Sequence, residues 1–340
     1  MGPRLRGDDV SKAQADVAAS APPRPVTTSS PRRRGSNLPR AAAIAILAAI
    51  VPVHAARYDP AQGFRFQIVA TDDSAVTRRI VDDLSRRLVP LFAAFRTELA
   101  QRRRLVYVAV GPDALRDVAA RRCDCVVVSA FTASQVVRAI QAALPAQQAA
   151  AITAVYAEPA PADQLRLAAL LYRRPVRLAA ILSPDAAFLK PALEAAGAGA
   201  EERGSRVTVL DAAAGEDINR LLNQIAQTDA LLALPDSAVY NAENFRNILL
   251  STYRHKQGVI GFSSDMVKAG ALATTYSEIE DINAQVQELV AGYVASGELP
   301  APQFPHYFRT VVNEGVARSL DLDVSDAVRG FARPAPARKP

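Results

Sequence analysis

Cysteine and histidine are scarce in this chain, and no apolar run in it is long. Only Cys123 and Cys125 occur among 340 residues, so a framework of disulfides is excluded. In an extended strand their α-carbons would lie about 6.5 to 7 Å apart, at the edge of disulfide reach. No further Cys or His stands near them to complete a closed metal site, so a metal or redox role for this Cys-x-Cys ranks below a structural one. Beyond the leader the histidines are His255 and His306, both in polar or Pro-rich, surface-like settings that suit catalytic bases poorly. Gly197-Ala198-Gly199 follows a helical segment and lacks the third glycine of a dinucleotide fingerprint, and no Gly-Lys-Ser/Thr occurs. In Gly261-Phe262-Ser263-Ser264-Asp265 an aspartate replaces the second glycine that a nucleophile elbow needs. No catalytic set, metal site or cofactor is expected.

A nucleic-acid partner is not expected either, although the net charge is +6. Residues 1–55 hold eight Lys/Arg against Asp8, Asp9 and Asp16, so nearly all the excess sits in the leader. Arg102-Arg103-Arg104 precedes an apolar run and reads as a solvated face whose stems cover the core rim.

Arg32-Arg33-Arg34 and Arg40 lead into the apolar stretch 41–53, which ends in Val53-His54-Ala55 before Ala56. This is the pattern of a signal peptide with cleavage near Ala55. The stretch falls short of the roughly 20 residues of a membrane span. No cysteine follows the cleavage point to carry a lipid, and Gly35-Ser36-Asn37 replaces the apolar residue of a twin-arginine signal. The Sec route and a free periplasmic protein are the expectation.

From residue 64 the chain alternates apolar strands with amphipathic helices. Phe66 to Thr71 precedes Asp72-Asp73-Ser74, after which Val76, Ile80, Leu84, Leu88, Phe92, Phe95 and Leu99 recur at helical spacing. Leu105 to Val110 stops at Gly111-Pro112; Cys125 to Val128 is followed by Ser129; Ala151 to Tyr156 leads to Glu158-Pro159-Ala160-Pro161, whose prolines disfavour helix and central strand. Strands then recur at Val176–Leu182, Val207–Leu210, Ala230–Leu234 and Val259–Phe262. The pattern predicts an α/β protein of two doubly wound parallel-sheet lobes joined by a hinge. Lobe 1 spans 64–156, with 271–297 returning to it; lobe 2 spans 160–270, with 306–320 returning to it; 330–340 is a basic, Pro-rich tail expected to be disordered.

Sheets of this kind bind ligands beyond the carboxyl ends of their strands. The candidates there are Asp72, Ser74, Gly111, Ser129, Ser183, Asp236, Ser263 and Ser264, with Tyr240, Asn241 and Tyr276 nearby. Hydrogen-bonding groups and aromatics without a nucleophile suit reversible binding. Each Ser, Asp or Asn taken alone serves equally as a helix cap or turn residue.

Residues 228–320 carry a resemblance. Asp229-Ala230-Leu231-Leu232-Ala233-Leu234-Pro235-Asp236, Val239-Tyr240-Asn241, Asn247-Ile248-Leu249-Leu250, Tyr253-Arg254 and Val259-Ile260-Gly261-Phe262-Ser263 form one linked run. It is similar to the substrate-binding proteins of ABC transporters, in a poorly characterised proteobacterial branch related to tryptophan- and sugar-type periplasmic binding proteins. The run continues through Val267-Lys268-Ala269-Gly270-Ala271-Leu272-Ala273, Tyr276-Ser277 and Asn313. The resemblance implies a type-1 periplasmic binding fold, a small-molecule solute held between the lobes, and an ABC-transporter permease as partner. It puts Asp236, Tyr240, Asn241, Ser263 and Ser264 at the cleft edge of lobe 2. Two departures stand out: only one helix separates the first two strands, where the family has an additional strand and helix, and Asn283 stands for a usual glycine. A reduced first lobe keeps open a rival reading as a protein-interaction or sensory protein. A hydrolase using Ser263, or a transferase, comes third.

Overall fold

The computed structural model describes residues 66–94, 105–121, 123–201 and 204–337; the leader, its cleavage point and the Arg102–Arg104 block lie outside them. The first lobe runs β1 (Phe66–Val69), α1 (Ala75–Ala94), β2 (Leu105–Val110), α2 (Pro112–Ala119), β3 (Cys125–Thr132), α3 (Ser134–Ala142), α4 (Ala146–Ala149) and β4 (Ile152–Tyr156). Its sheet has the order β1-β2-β3-β4, all parallel. Every residue of β3 and β4 is buried, as expected for parallel strands covered on both faces. One face carries Val106, Val108, Val126 and Val128 against Ile80, Leu84, Leu88 and Phe92 of α1. The other carries Tyr107, Ala109, Val127 and Ala154 against Leu115 and Val118 of α2 and Val137 of α3. Each such aliphatic contributes about 1.5–3 kcal/mol on burial.

This arrangement has a topological consequence. The steps β1 to β2 and β2 to β3 go in the same direction across the sheet, yet α1 and α2 lie on opposite faces. The two crossovers therefore have opposite hands, against the strong right-handed rule for such units. A further strand beyond β1 would let the chain change face with right-handed steps throughout, and none occurs among the described residues.

The second lobe runs α5 (Pro161–Tyr172), β5 (Arg177–Leu182), a 3-10 helix (Pro184–Leu189), α6 (Lys190–Glu201), β6 (Arg206–Asp211), α7 (Ile218–Gln224), β7 (Ala230–Leu232), α8 (Ala242–Arg254), β8 (Gly258–Ile260), α9 (Ser264–Ala269) and β9 (Ala273–Tyr276). Pro161 opens α5 at the first helical position, where its missing N–H is not needed. The chain then returns to lobe 1 as α10 (Ile279–Ser296), started by a capping box between Glu278 and Asp281. Ile282, Val286, Leu289 and Val290 of α10 join the α1 face of the first core. After Gln303, which bridges Val155, the chain re-enters lobe 2 as β10 (Arg309–Val312), α11 (Glu314–Ser319) and α12 (Asp326–Arg329). The second sheet has the order β10-β9-β8-β7-β5-β6, parallel except for β10.

Three expectations need correction. The segment expected to return to lobe 1 from residue 271 begins it only after Tyr276, because β9 pairs with β8 and β10 in the second sheet. The tail expected to be disordered from 330 is ordered through Ala337: the backbones of Phe308 and Arg333 exchange two hydrogen bonds of 2.8 Å, the Phe308 and Phe331 rings lie 5.1 Å apart, and the Ala335 N–H donates to Asp281. Cys123 and Cys125 form a disulfide with α-carbons 5.3 Å apart. The extended spacing assumed for them does not apply, since β3 begins only at Cys125.

Candidate functional site

In the second sheet β5 lies between β6 and β7, so the chain leaves β5 to one side and returns past it to the other. The strand order reverses there, and the loops leaving the carboxyl ends of β5 and β7 part to form a crevice, the usual ligand position in an open α/β sheet. A cavity of about 420 Å³ opens at that point, within the range of small-molecule pockets. Its walls include Ser183 after β5, Ala213 and Glu216 after β6, and Val239 and Asn244 after β7. The run Ala212-Ala213-Ala214-Gly215 leaves this space open because its side chains are small, and Gly215 supplies the positive φ of +77° that the turn needs.

Asp236 lies buried behind two of the lining residues, Ser183 and Ala238. Its carboxylate accepts the Ser183 N–H at 2.6 Å, the Ser183 hydroxyl at 3.0 Å and the Ala238 N–H at 3.1 Å. Asp236 and Ser183 are both buried, so this pair ties the two loops together beneath the cavity. Tyr240 is buried behind them, its ring edge-on to Phe262 at 6.1 Å. Burial, and next the charge of Asp236, hold its hydroxyl far above the ordinary tyrosine range. Asn241 caps α8 by accepting the Asn244 N–H, and Ser263 caps α9 by accepting the Met266 N–H. Ser264, half-exposed, is the first residue of α9. Tyr276 ends β9 opposite Arg309, half-buried, its hydroxyl pushed up by burial and then by Glu278.

On lobe 1, Asp72 accepts the Ser74 N–H, and Ser74 accepts the Thr77 N–H at the start of α1. Gly111 caps α2 with φ +83° and open space where a side chain would stand. These three lie at carboxyl ends of β1 and β2. Ser129 was expected at a strand end and is not there: β3 runs on to Thr132, so Ser129 is fully buried inside the strand, donating to the Thr132 hydroxyl. The strand ends instead in an irregularity at Phe131, a bulky residue held at φ +58°, which is locally strained.

The hinge is built from the connections 157–160, 277–278 and 297–308. Glu158 is its buried acid: 3% exposed, it accepts the Ser134 N–H with both carboxylate oxygens at 3.0 and 3.2 Å. Burial outweighs these bonds and pushes its carboxyl up to about 7. Gln164, one turn into α5, donates to the Gly261 carbonyl and the Thr274 hydroxyl and accepts the Thr275 N–H. Across the lobes, the Arg138 guanidinium of α3 lies 5.3 Å from the Phe188 ring of lobe 2, and Arg309 of β10 pairs with Asp281 and Glu278 at the start of α10.

The structure therefore brings Ser183 and Asp236 together at the lobe 2 crevice, with Tyr240 behind them. Asp72, Ser74 and Gly111 stand on the lobe 1 rim, and Asn241 and Ser263 hold helix ends. Sequence reasoning missed Glu158, directly before the two prolines Pro159 and Pro161, and the Ala212–Glu216 loop. The legible signal for that loop was four small residues directly after an apolar strand.

No protein family and no curated protein matches the sequence. Solved structures do. An ABC domain in complex with L-Trp from Streptococcus pneumonia superposes with TM-score 0.51 at 14% identity, covering 79% of this chain and 98% of that one. A ligand-free, open substrate-binding protein with adhesive properties from Clostridium difficile gives 0.55 at 11%, covering 81% and 100%. A conserved domain protein from Vibrio cholerae gives 0.50 at 17%, covering 79% and 98%. Two α/β lobes with parallel-rich sheets and a crevice at a strand-order reversal, matched over nearly the whole length of these proteins, give this chain the type-1 periplasmic binding fold.

Proposed function

We propose that the chain is the exported solute-binding component of an ABC-type uptake system, released near Ala55 into the periplasm, where it delivers a small molecule to a membrane permease. The observation that carries this reading is the 420 Å³ cavity over the Ser183–Asp236 pair, in a fold shared with a protein that holds L-Trp. Solute closes such a hinge only to the extent that it binds the closed form better than the open one. Replaceable hydrogen-bonding groups and small side chains around the cavity suit binding and release.

A second reading, as a protein-interaction or sensory protein, is favoured by one observation: among the described residues the lobe 1 sheet has no strand-order reversal, so no crevice of that kind opens at the carboxyl ends of its strands. Thermal unfolding of residues 56–340 with amino acids, sugars, nucleosides and organic acids separates the two. A bound solute at a hundredfold excess over Kd stabilises the protein by about 2.7 kcal/mol. Ala213→Trp, an exposed wall position, should abolish that shift while leaving the unliganded melting temperature unchanged. No shift with any compound would favour the interaction reading.

A further inference from the structure

The only two cysteines of the chain are joined to each other across a single residue. A bond closing so short a loop removes little freedom from the unfolded chain. It also ties together nothing distant. Cys125 is already registered against Leu105 as the first residue of β3, and from Val127 to Ala130 that strand is paired on both sides. Stability gives this disulfide little reason to exist.

Its surroundings give it another. The pair sits at the amino end of β3, the edge of the lobe 1 sheet opposite the hinge. Cys125 is buried, whereas Cys123 is exposed. Both line a cavity of about 380 Å³ whose apolar wall includes Val118, Leu144 and Ile152 and whose polar lining includes Arg121 and Gln148. A disulfide with one exposed cysteine beside a cavity is of the accessible type that exchanges, in contrast to the inert structural type.

We propose that Cys123–Cys125 is a reversible thiol–disulfide exchange site for a small thiol of about tripeptide size, seated in this cavity. The thiolate of the small molecule attacks Sγ of exposed Cys123. A new sulfur–sulfur bond forms to Cys123, the Cys123–Cys125 bond breaks, and Cys125 leaves as a thiolate that takes a proton from water. A second thiolate attacks the sulfur of the bound small molecule, releases Cys123 as a thiolate and completes a small-molecule disulfide. Two electrons pass from two external thiols to the protein disulfide, and every step reverses when the small-molecule disulfide is in excess. The site is independent of solute capture at lobe 2.

The test equilibrates the folded chain with glutathione buffers of graded thiol-to-disulfide ratio, quenches with acid, alkylates, and reads the dithiol fraction by intact mass. The expected result is full conversion between the two states across the series, with the melting temperature unchanged between them. Cys125→Ser should take up one glutathionyl group at Cys123 in the folded state, at least tenfold faster than Cys123→Ser takes it up at buried Cys125. A disulfide that opens only in denaturant, or only with a protein dithiol and not with glutathione, would overturn the proposal. So would equal glutathionylation of the two single variants.

Discussion

Stability should fall as pH rises from about 4.5 to about 7, and Glu158 should be the cause. Its carboxyl is buried at the first crossover, and desolvation dominates the two N–H contacts from Ser134 that favour the charged form. The folded value of about 7 lies above the ordinary 4.5, so between those values the native state holds a proton that the unfolded chain has lost. Stability therefore decreases with pH through this window and levels off above it. At about 1.4 kcal/mol per pH unit, a displacement from 4.5 to about 7 amounts to about 3 kcal/mol. Tyr156 feels the same charge: burial and then Glu158 raise its hydroxyl to about 12, with Arg138 opposing. Asp83 and Asp229 run in the opposite sense: burial is the largest single influence and raises them, but hydrogen bonds and charges together, from Arg87, Asn283 and Arg86 for Asp83 and from Arg174 and Arg177 for Asp229, hold them below the ordinary value, so their contribution is lost only below pH 4 or so, in a separate window. Urea unfolding of the wild type and of Glu158→Gln at half-unit steps from pH 4 to 8 isolates the effect by difference. The variant should gain on the wild type up to about pH 7, level off above it, and exceed it at pH 8 by about 3 kcal/mol relative to their difference below pH 4.5. Parallel curves for the two proteins would refute the assignment.

Two further substitutions test the internal supports of the site. Asp236→Ala leaves the buried Ser183 N–H and hydroxyl and the Ala238 N–H without their acceptor, and should destabilise by about 2–4 kcal/mol, read as a lower urea midpoint at unchanged slope; Asp236→Asn should recover part of the loss. Gln164→Leu removes the link from α5 to Gly261, Thr274 and Thr275 and should cost about 2–3 kcal/mol, with no effect on the exchange chemistry of Cys123.

Much of this architecture was legible in the sequence because fully buried parallel strands announce themselves. Val126, Val127 and Val128, or Ala230, Leu231 and Leu232, are continuous apolar runs, and helical spacing in Ile80, Leu84 and Leu88 gave the first buried helix. Strand pairing was not legible, since a four-residue strand such as Ala273–Tyr276 fits either sheet until its neighbours are known. The site was harder for a different reason. Ser74, Asn241 and Ser263 hold helix ends with the same side-chain oxygens that would hold a ligand, and composition cannot separate the two uses. Asp236 shows the limit most clearly: its place after an apolar strand was readable, but its contacts belong to Ser183 and Ala238. The tail was misjudged because its prolines and arginines read as solvated, whereas Phe331 and Arg333 anchor it on Phe308.

The two lobes carry unequal shares of the fold's capacity to bind. Lobe 2 keeps β5 between β6 and β7, and with it the divergent loops that make a crevice. Among the described residues lobe 1 steps β1, β2, β3, β4 in one direction, so these loops do not part in that way, and the β1–β2 and β2–β3 crossovers have opposite hands. What lobe 1 offers the cleft is therefore a rim: Asp72 and Ser74 before α1, Gly111 before α2, and the strained end of β3 at Phe131. A solute held at Ser183 and Ala213 would meet that rim only on closure, and closure turns on the connections that contain Glu158. On the proposed function, capture would depend on one binding lobe, one covering lobe and a buried acid between them, and the titration of Glu158 would then reach the hinge even where the pocket itself has no titrating contact with the solute.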